Sequence, residues 1–171
     1  NTPIDVDFAV EGDVSSLANY LVEAWNAEIM MRSQFLTVKL SVDGTIVDLA
    51  SARQERYMSP GNLPEVKATS IKKDLARRDF SINSMAVAVA PTRFGELLDP
   101  FDGESDLKSQ KIRVLHRHSF RDDPTRILRS LRYEQRLNFH LENETKILIK
   151  DYSPLLSIIS PDRMRHELDR I

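Results

Sequence analysis

The sequence predicts an α+β fold: a small sheet with flanking helices, followed by an all-helical segment. Three observations predict it. Ile4, Val6, Phe8 and Val10 alternate with Asp5 and Asp7, the period of a half-buried strand. Asp43-Gly44 separates two apolar-rich runs, the signature of a tight hairpin. Beyond His118 every strong pattern is helical. A boundary near residue 118 is therefore expected between a mixed part, 1–118, and an all-α part, 119–171.

The elements follow in order. Asp13 is placed to cap a helix whose apolar face carries Val14, Leu17, Ala18, Leu21, Val22 and Trp25, with Trp25 expected in the core. Glu28 to Met31 suits a brief strand, and Phe35 to Val42 and Thr45 to Ala50 suit the two arms of the hairpin. Ser51 to Thr69, polar and carrying Pro60, Gly61 and Pro64, is expected to be a long mobile loop. A helix capped by Ser70 is predicted to run to about Ala86, and residues 85–90 fit either its continuation or a strand. Short strands are expected at Glu96–Leu98, ahead of the turn Asp99-Pro-Phe-Asp-Gly103, and at Ile112–His116. Three helices follow: Arg121 to Leu137 with Ile127, Leu128 and Leu131 inward, Asn143 to Tyr152, and one started by Ser160-Pro161 and running to the last residue.

Composition narrows the class. The 171 residues are 41% hydrophobic and 29% charged, with a net charge of −2 and no cysteine. Disulfides and thiolate metal sites are excluded, and a reducing cytoplasm is the expected compartment. No apolar run approaches the roughly 18 residues of a membrane span. Net charge gives no hint of nucleic acid, but its distribution does. Arg113, Arg117, Arg121, Arg126, Arg129, Arg132 and Arg136 stand against Asp122, Asp123 and Glu134. Such a stripe suits a polyanion or an ordinary solvated helix face equally well.

Three groups carry candidate chemistry. Asp5 and Asp7 share one strand face, about 7 Å apart, and Asp48 adds a third carboxylate at mid-strand. Alone, Asp-x-Asp reads as a solvated edge, and Asp48 as a partner for Arg53 or a lysine. Together they suit divalent ions in phosphoryl transfer. In Arg77-Arg78-Asp79-Phe80-Ser81-Ile82-Asn83, Asp79 and Asn83 would share a helix face, suited to ribose hydroxyls, while Arg78 suits phosphate. A capped, salt-bridged helix is the plainer account. Asp123, Arg126, Arg129 and Arg132 recur every third residue. This row could present an acceptor and donors to a base edge, or a favourable acid at a helix start followed by exposed arginines. Arginines three apart repel unless an anion is present. His116 and His118 have no third ligand in view and read as surface or packing residues.

Six segments, in register, then carry a resemblance. They are Asp5-Val-Asp7-Phe8; Val47-Asp48-Leu49 with Ala52-Arg-Gln-Glu55; Arg77-Arg-Asp-Phe-Ser-Ile-Asn83; Leu98-Asp-Pro-Phe-Asp-Gly103 with Asp106-Leu107; Ile112-Arg-Val-Leu-His116; and Asp122-Asp-Pro-Thr-Arg126. They resemble the class II tRNA nucleotidyltransferases and bacterial poly(A) polymerases. The resemblance covers essentially the whole chain. It implies a polymerase-β-like nucleotidyltransferase head, here without its N-terminal Gly-Gly segment, followed by an incomplete helical neck. It implies template-independent addition of CMP or AMP from CTP or ATP to the 3′ end of tRNA. A poly(A) polymerase or a non-catalytic RNA-binding module are the alternatives. By resemblance, Asp5 and Asp7 hold Mg²⁺ and Asp48 is the third carboxylate. Arg78 contacts the nucleotide, with Asp79 and Asn83 near its sugar and phosphates. Asp123 and Arg126 read the base edge, and Arg129 and Arg132 help bind nucleotide or phosphates. The usual Glu is Asp122 here, and the usual Thr is Ser81. A dehalogenase-type phosphatase also opens on Asp-x-Asp, but Asp48 and the arginine row have no place in its chemistry.

Overall fold

The computed structural model describes residues 6–59, 62 and 64–171, so Ile4, Asp5, Pro60, Gly61 and Leu63 lie outside the described residues. The chain forms two compact units: Asn1–Arg56 with Val66–Asp74, and Tyr57–Glu65 with Leu75–Ile171.

The first unit is a sheet with a helix on one face. It contains β1 (Val6–Val10), α1 (Val14–Trp25), β2 (Glu28–Ser33), β3 (Thr37–Val42) and β4 (Thr45–Ser51). The sheet order is β1-β4-β3-β2. β1 runs parallel to β4, and the other two pairings are antiparallel. Alternation works as the sequence predicts. Phe8, Val10, Val47 and Leu49 pack with Val14, Ala18 and Leu21 of α1 around buried Val38 and Leu40. The opposite face is left to Asp7 and Asp48. Asp13 caps α1 by accepting from the Ser15 and Ser16 amides at 3.0 and 3.2 Å. Asp43 and Gly44 both take positive φ, 48° and 78°, as a type I′ hairpin requires.

Two expectations fail in this unit. Trp25 is 60% exposed. It is the last residue of α1; the backbone turns left-handed at Asn26, and Ala27 takes the buried place. The expected loop 51–69 contains β5 (Arg53–Arg56) and β6 (Glu65–Ala68), which form a two-stranded ribbon. Arg-Gln-Glu-Arg has no apolar residue to signal a strand, and backbone pairing alone makes it one.

α2 (Ile71–Ala76) is six residues long, not the helix to Ala86 that the sequence suggested. The Ile71 amide donates to the Glu11 carboxylate at 2.6 Å, and the Ser70 carbonyl accepts from Lys73 and Asp74. Beyond α2 the backbone extends at Phe80 (φ −131°, ψ 154°). Phe80 bridges Val114 and is fully buried. Burying that ring outweighs the helical preference of its neighbours.

The second unit continues from a 3₁₀ turn at Ser81–Asn83 through the short antiparallel pair β7 (Ala86–Val87) and β8 (Leu97–Leu98). Of residues 85–90 only Ala86 and Val87 are strand, and none continues the helix. Next come α3 (Gly103–Lys108), which the sequence reading missed, and β9 (Lys111–Ile112). Asp99 starts α3, its two oxygens accepting from the Gly103 and Glu104 amides. The expected single helix 121–137 is α4 (Ser119–Asp122) and α5 (Thr125–Leu137), because Asp123 is extended before Pro124. β10 (His140–Leu141) pairs parallel with β9. α6 (Asn143–Tyr152), a 3₁₀ stretch at Ser153–Ile158 and α7 (Pro161–Leu168) complete the unit. The third helix thus ends at Leu168 rather than running to Ile171. Its core joins Phe80, Ile112, Val114, Phe120, Ile127 and Leu148. Leu131, expected inward, is 38% exposed, and Arg132 is buried in its place at 5%.

Gly103 sits where no side chain fits. A Cβ there would stand 2.3 Å from the Ser81 carbonyl oxygen and 2.8 Å from Met85 Cγ. Gly103→Ala is therefore expected to lower unfolding free energy by about 2 kcal/mol, read from the denaturant midpoint; an unchanged midpoint would show that the 81–103 approach is loose.

Candidate functional site

The first unit carries a carboxylate face on its own sheet. Asp7 and Asp48 are direct partners in the parallel β1/β4 ladder, so their side chains leave the same face about 4.8 Å apart at the backbone. Asp7 is exposed and Asp48 half-buried. Lys39, opposite Asp48 on β3, donates to Asp48 Oδ2 at 2.7 Å. The lysine that the plainer sequence account supposed is therefore real. Two in-register carboxylates on an open face suit a hard divalent cation that keeps water and phosphate ligands. Asp5 lies outside the described residues. Among the described residues no group of three or more His, Cys, Asp or Glu is arranged to hold a metal.

The second unit, by itself, carries a charge network centred on Asp79. Its Oδ2 accepts from Arg129 Nε and Nη2 at 2.8 and 2.5 Å. Its Oδ1 accepts from the Phe80 amide at 2.9 Å and Asn83 Nδ2 at 3.1 Å. Asp79 and Asn83 do meet, but through an extended residue and a 3₁₀ turn rather than a helix face. Burial pulls the Arg129 guanidinium down, yet the Asp79 charge and hydrogen bonds outweigh it and hold the group above its ordinary value. Glu167 of α7 lies 3.9 Å from Arg129 Nη1 and 2.7 Å from Arg132 Nη1. Both guanidinium groups lie over the Tyr133 ring, 5.7 and 5.4 Å from its centre. Arg132 Nε is buried with no acceptor among the described residues. Arg129 and Arg132 thus find their counter-charges inside the protein, which is why these two, three apart, tolerate like charge.

Arg126 is also buried. It donates to Ser119 Oγ at 2.8 Å and to the Arg77 carbonyl at 2.7 Å, tying α5 to the segment that holds Arg78 and Asp79. Arg78 is half-buried just past α2, its amide donating to the Leu75 carbonyl. Asp123 Oδ1 accepts from the Thr125 amide and hydroxyl, at 3.1 and 2.7 Å, and from Arg163 Nη2 at 2.9 Å. A separate anchor fixes the same segment. Ser81 Oγ donates to buried Asp106 at 2.6 Å, and Arg113 Nε donates to the same oxygen at 2.7 Å.

Sequence reasoning supposed a lysine beside Asp48 without identifying Lys39, and it missed Asp106 as an anchor, Tyr133, Arg163 and Glu167. Arg163 and Glu167 carried one legible signal: they are four apart, on one face of the last helix. His116 stands 4.0 Å from Asp122. Burial, with help from Arg126 and His118, holds it below the ordinary histidine value against the pull of Asp122.

Known proteins resemble this chain along its length. Residues 1–113 match the family model described as poly A polymerase head domain, and 138–171 that described as probable RNA and SrmB-binding site of polymerase A. An A-adding tRNA nucleotidyltransferase of Halalkalibacterium halodurans is 39% identical over 169 residues, 96% of this chain and 40% of the relative. The apo form II structure of a CCA-adding enzyme superposes with a TM-score of 0.93 at 43% identity, over 99% of this chain and 41% of that one. A tRNA nucleotidyltransferase complexed with a primer tRNA and an incoming ATP analogue superposes at 0.84 and 39% identity, over 96% of this chain and 46% of that one. The chain spans about two fifths of the length of the curated relative. Among the described residues no helix is long and apolar enough to cross a membrane.

Two outcomes follow from this geometry. Asp79→Ala leaves Arg129 without its main counter-charge and is expected to cost about 3 kcal/mol in denaturant unfolding; Arg129→Met in the same chain should recover part of it. Additive losses would deny the coupling. His116 binds fewer protons folded than unfolded, so stability falls as pH drops below the ordinary histidine value and levels off below its lowered folded value. His116→Gln should flatten that part of the stability–pH curve, and an unaltered slope would contradict it.

Proposed function

This chain belongs to the family of class II tRNA nucleotidyltransferases and bacterial poly(A) polymerases, and from that membership we propose that it adds CMP or AMP to the 3′ end of tRNA. The observation that carries the proposal is the in-register pair Asp7 and Asp48 on the open sheet face. The relatives' names, A-adding and CCA-adding, favour tRNA over a poly(A) tail as the acceptor.

In the proposed reaction an RNA 3′-hydroxyl attacks the α-phosphorus of CTP or ATP in line. The new O–P bond forms as the bond to the β-phosphate oxygen breaks, pyrophosphate leaves, and the hydroxyl proton is lost. Asp5 and Asp7 would hold Mg²⁺, with Asp48 as the third carboxylate. Bound there, Mg²⁺ would supply charge stabilisation for the attacking and leaving oxygens. Arg78 would contact the nucleotide, and Asp79 and Asn83 would set the surroundings of its sugar and phosphates. Arg129 and Arg132 keep donors beyond those engaged by Asp79 and Glu167, and these would meet phosphates. Asp123 and Arg126 would read the base edge. No side-chain nucleophile is needed; positioning and electrostatics supply the rate. Residues to about 118 would be the head and the remainder the neck. The absence of cysteine suits a cytoplasmic enzyme.

The test is incorporation by the intact protein on tRNA ending at the discriminator base, at C and at CC, with CTP and ATP supplied separately. Asp7→Ala should lower incorporation by about a hundredfold or more with little change in melting temperature. Retained activity would remove Asp7 from the reaction. Arg126→Ala should impair selection of CTP and ATP more than tRNA binding; unchanged nucleotide kinetics would count against its base-reading role.

A further inference from the structure

We propose that Arg163 is a positioning residue for nucleotide selection, acting through Asp123. The inference rests on the reading of Asp123 as a base-edge acceptor. Three donors converge on one oxygen of that carboxylate: the Thr125 amide, the Thr125 hydroxyl and Arg163 Nη2. The other oxygen, Oδ2, receives no donor among the described residues. A carboxylate fixed through one oxygen presents the other in a set direction. The exocyclic amino groups of cytosine and adenine are donors at the edge where uracil and guanine carry acceptor oxygens. An ionised, oriented Oδ2 accepts from the first pair and repels the second.

Two features make Arg163 the group that sets this orientation. Thr125 is local to the start of α5 and holds Oδ1 to its own backbone, whereas Arg163 comes from α7 and carries the only formal charge among the three donors. Its own place is fixed as well. Glu167, one turn further along α7, bridges to buried Arg132 at 2.7 Å, so α7 cannot slide along α5 without breaking a buried pair. The Arg126 guanidinium is engaged with Ser119 and the Arg77 carbonyl, and only the Arg126 amide meets Asp123, at its carbonyl. The last helix therefore reaches the selection site through Arg163 without needing to touch the nucleotide.

The experiment is equilibrium binding of Mg²⁺-CTP, Mg²⁺-ATP and Mg²⁺-UTP to the intact protein, by calorimetry, for the wild type, Arg163→Met, Arg163→Lys and Asp123→Asn, with melting curves in parallel. Arg163→Met should weaken CTP and ATP about tenfold, the scale of a lost charge-assisted hydrogen bond, and leave UTP nearly unchanged. The preference over UTP would then fall about tenfold. Arg163→Lys should restore most of it, which a merely structural loss would not do. If Arg163→Met lowers the melting temperature, Arg163→Gln, which keeps a donor without the charge, carries the same comparison and the same expected fall. A preference unchanged in the Met and Gln variants, while Asp123→Asn lowers it, overturns the role of Arg163 and leaves Asp123 as base reader. A preference unchanged in Asp123→Asn overturns the base reading itself.

Discussion

Asp79 is 7% exposed, and a carboxylate that buried must have its lone pairs satisfied by donors held nearby. Much of the second unit follows from that demand. The Phe80 amide and Asn83 meet one oxygen, and Arg129 meets the other. Phe80 therefore extends instead of continuing α2, and its ring enters the core beside Tyr133, edge to face at 5.7 Å. Arg129 then stands beside Arg132, and their mutual repulsion is offset by Glu167 from α7. One buried acid thus links a loop, a long helix and the last helix.

The first unit answers to a different constraint. Strand alternation sends apolar side chains to α1 and leaves the carboxylates on the other face. Parallel pairing of β1 with β4 then puts Asp7 and Asp48 side by side. Lys39 balances one of them. Concentrated negative charge of this kind costs stability unless a cation or ammonium answers it, which is why such a face is worth reading as functional.

Elements with strong period and punctuation were legible in the sequence. β1, α1 with its Asp13 cap, and the Asp43-Gly44 hairpin all follow from local chemistry. The two later helices at Asn143 and Pro161 do too. What was not legible depended on partners remote in sequence. Nothing local ends α2 at Ala76; the burial of Phe80 does. Nothing in Arg53-Gln-Glu-Arg56 announces a strand. Leu131 and Arg132 exchange their expected places because Glu167, 35 residues on, makes burial of an arginine possible. The site shows the same division. Its residues were named from motif and register, but their mutual contacts were not. Asp79 was expected to share a helix face with Asn83, and its principal partner is instead Arg129, 50 residues away.

The arginine row is the part of the account that separates a nucleotide-transfer enzyme from a module that only binds RNA. Both would carry basic charge, but only the first needs a defined pocket for one triphosphate. Equilibrium binding of CTP and ATP to the intact protein, with Mg²⁺ and without RNA, tests this most directly. One site per chain is expected, with CTP and ATP competing for it, and its loss in Arg129→Met. Tight binding of tRNA with no saturable binding of either nucleotide would contradict it.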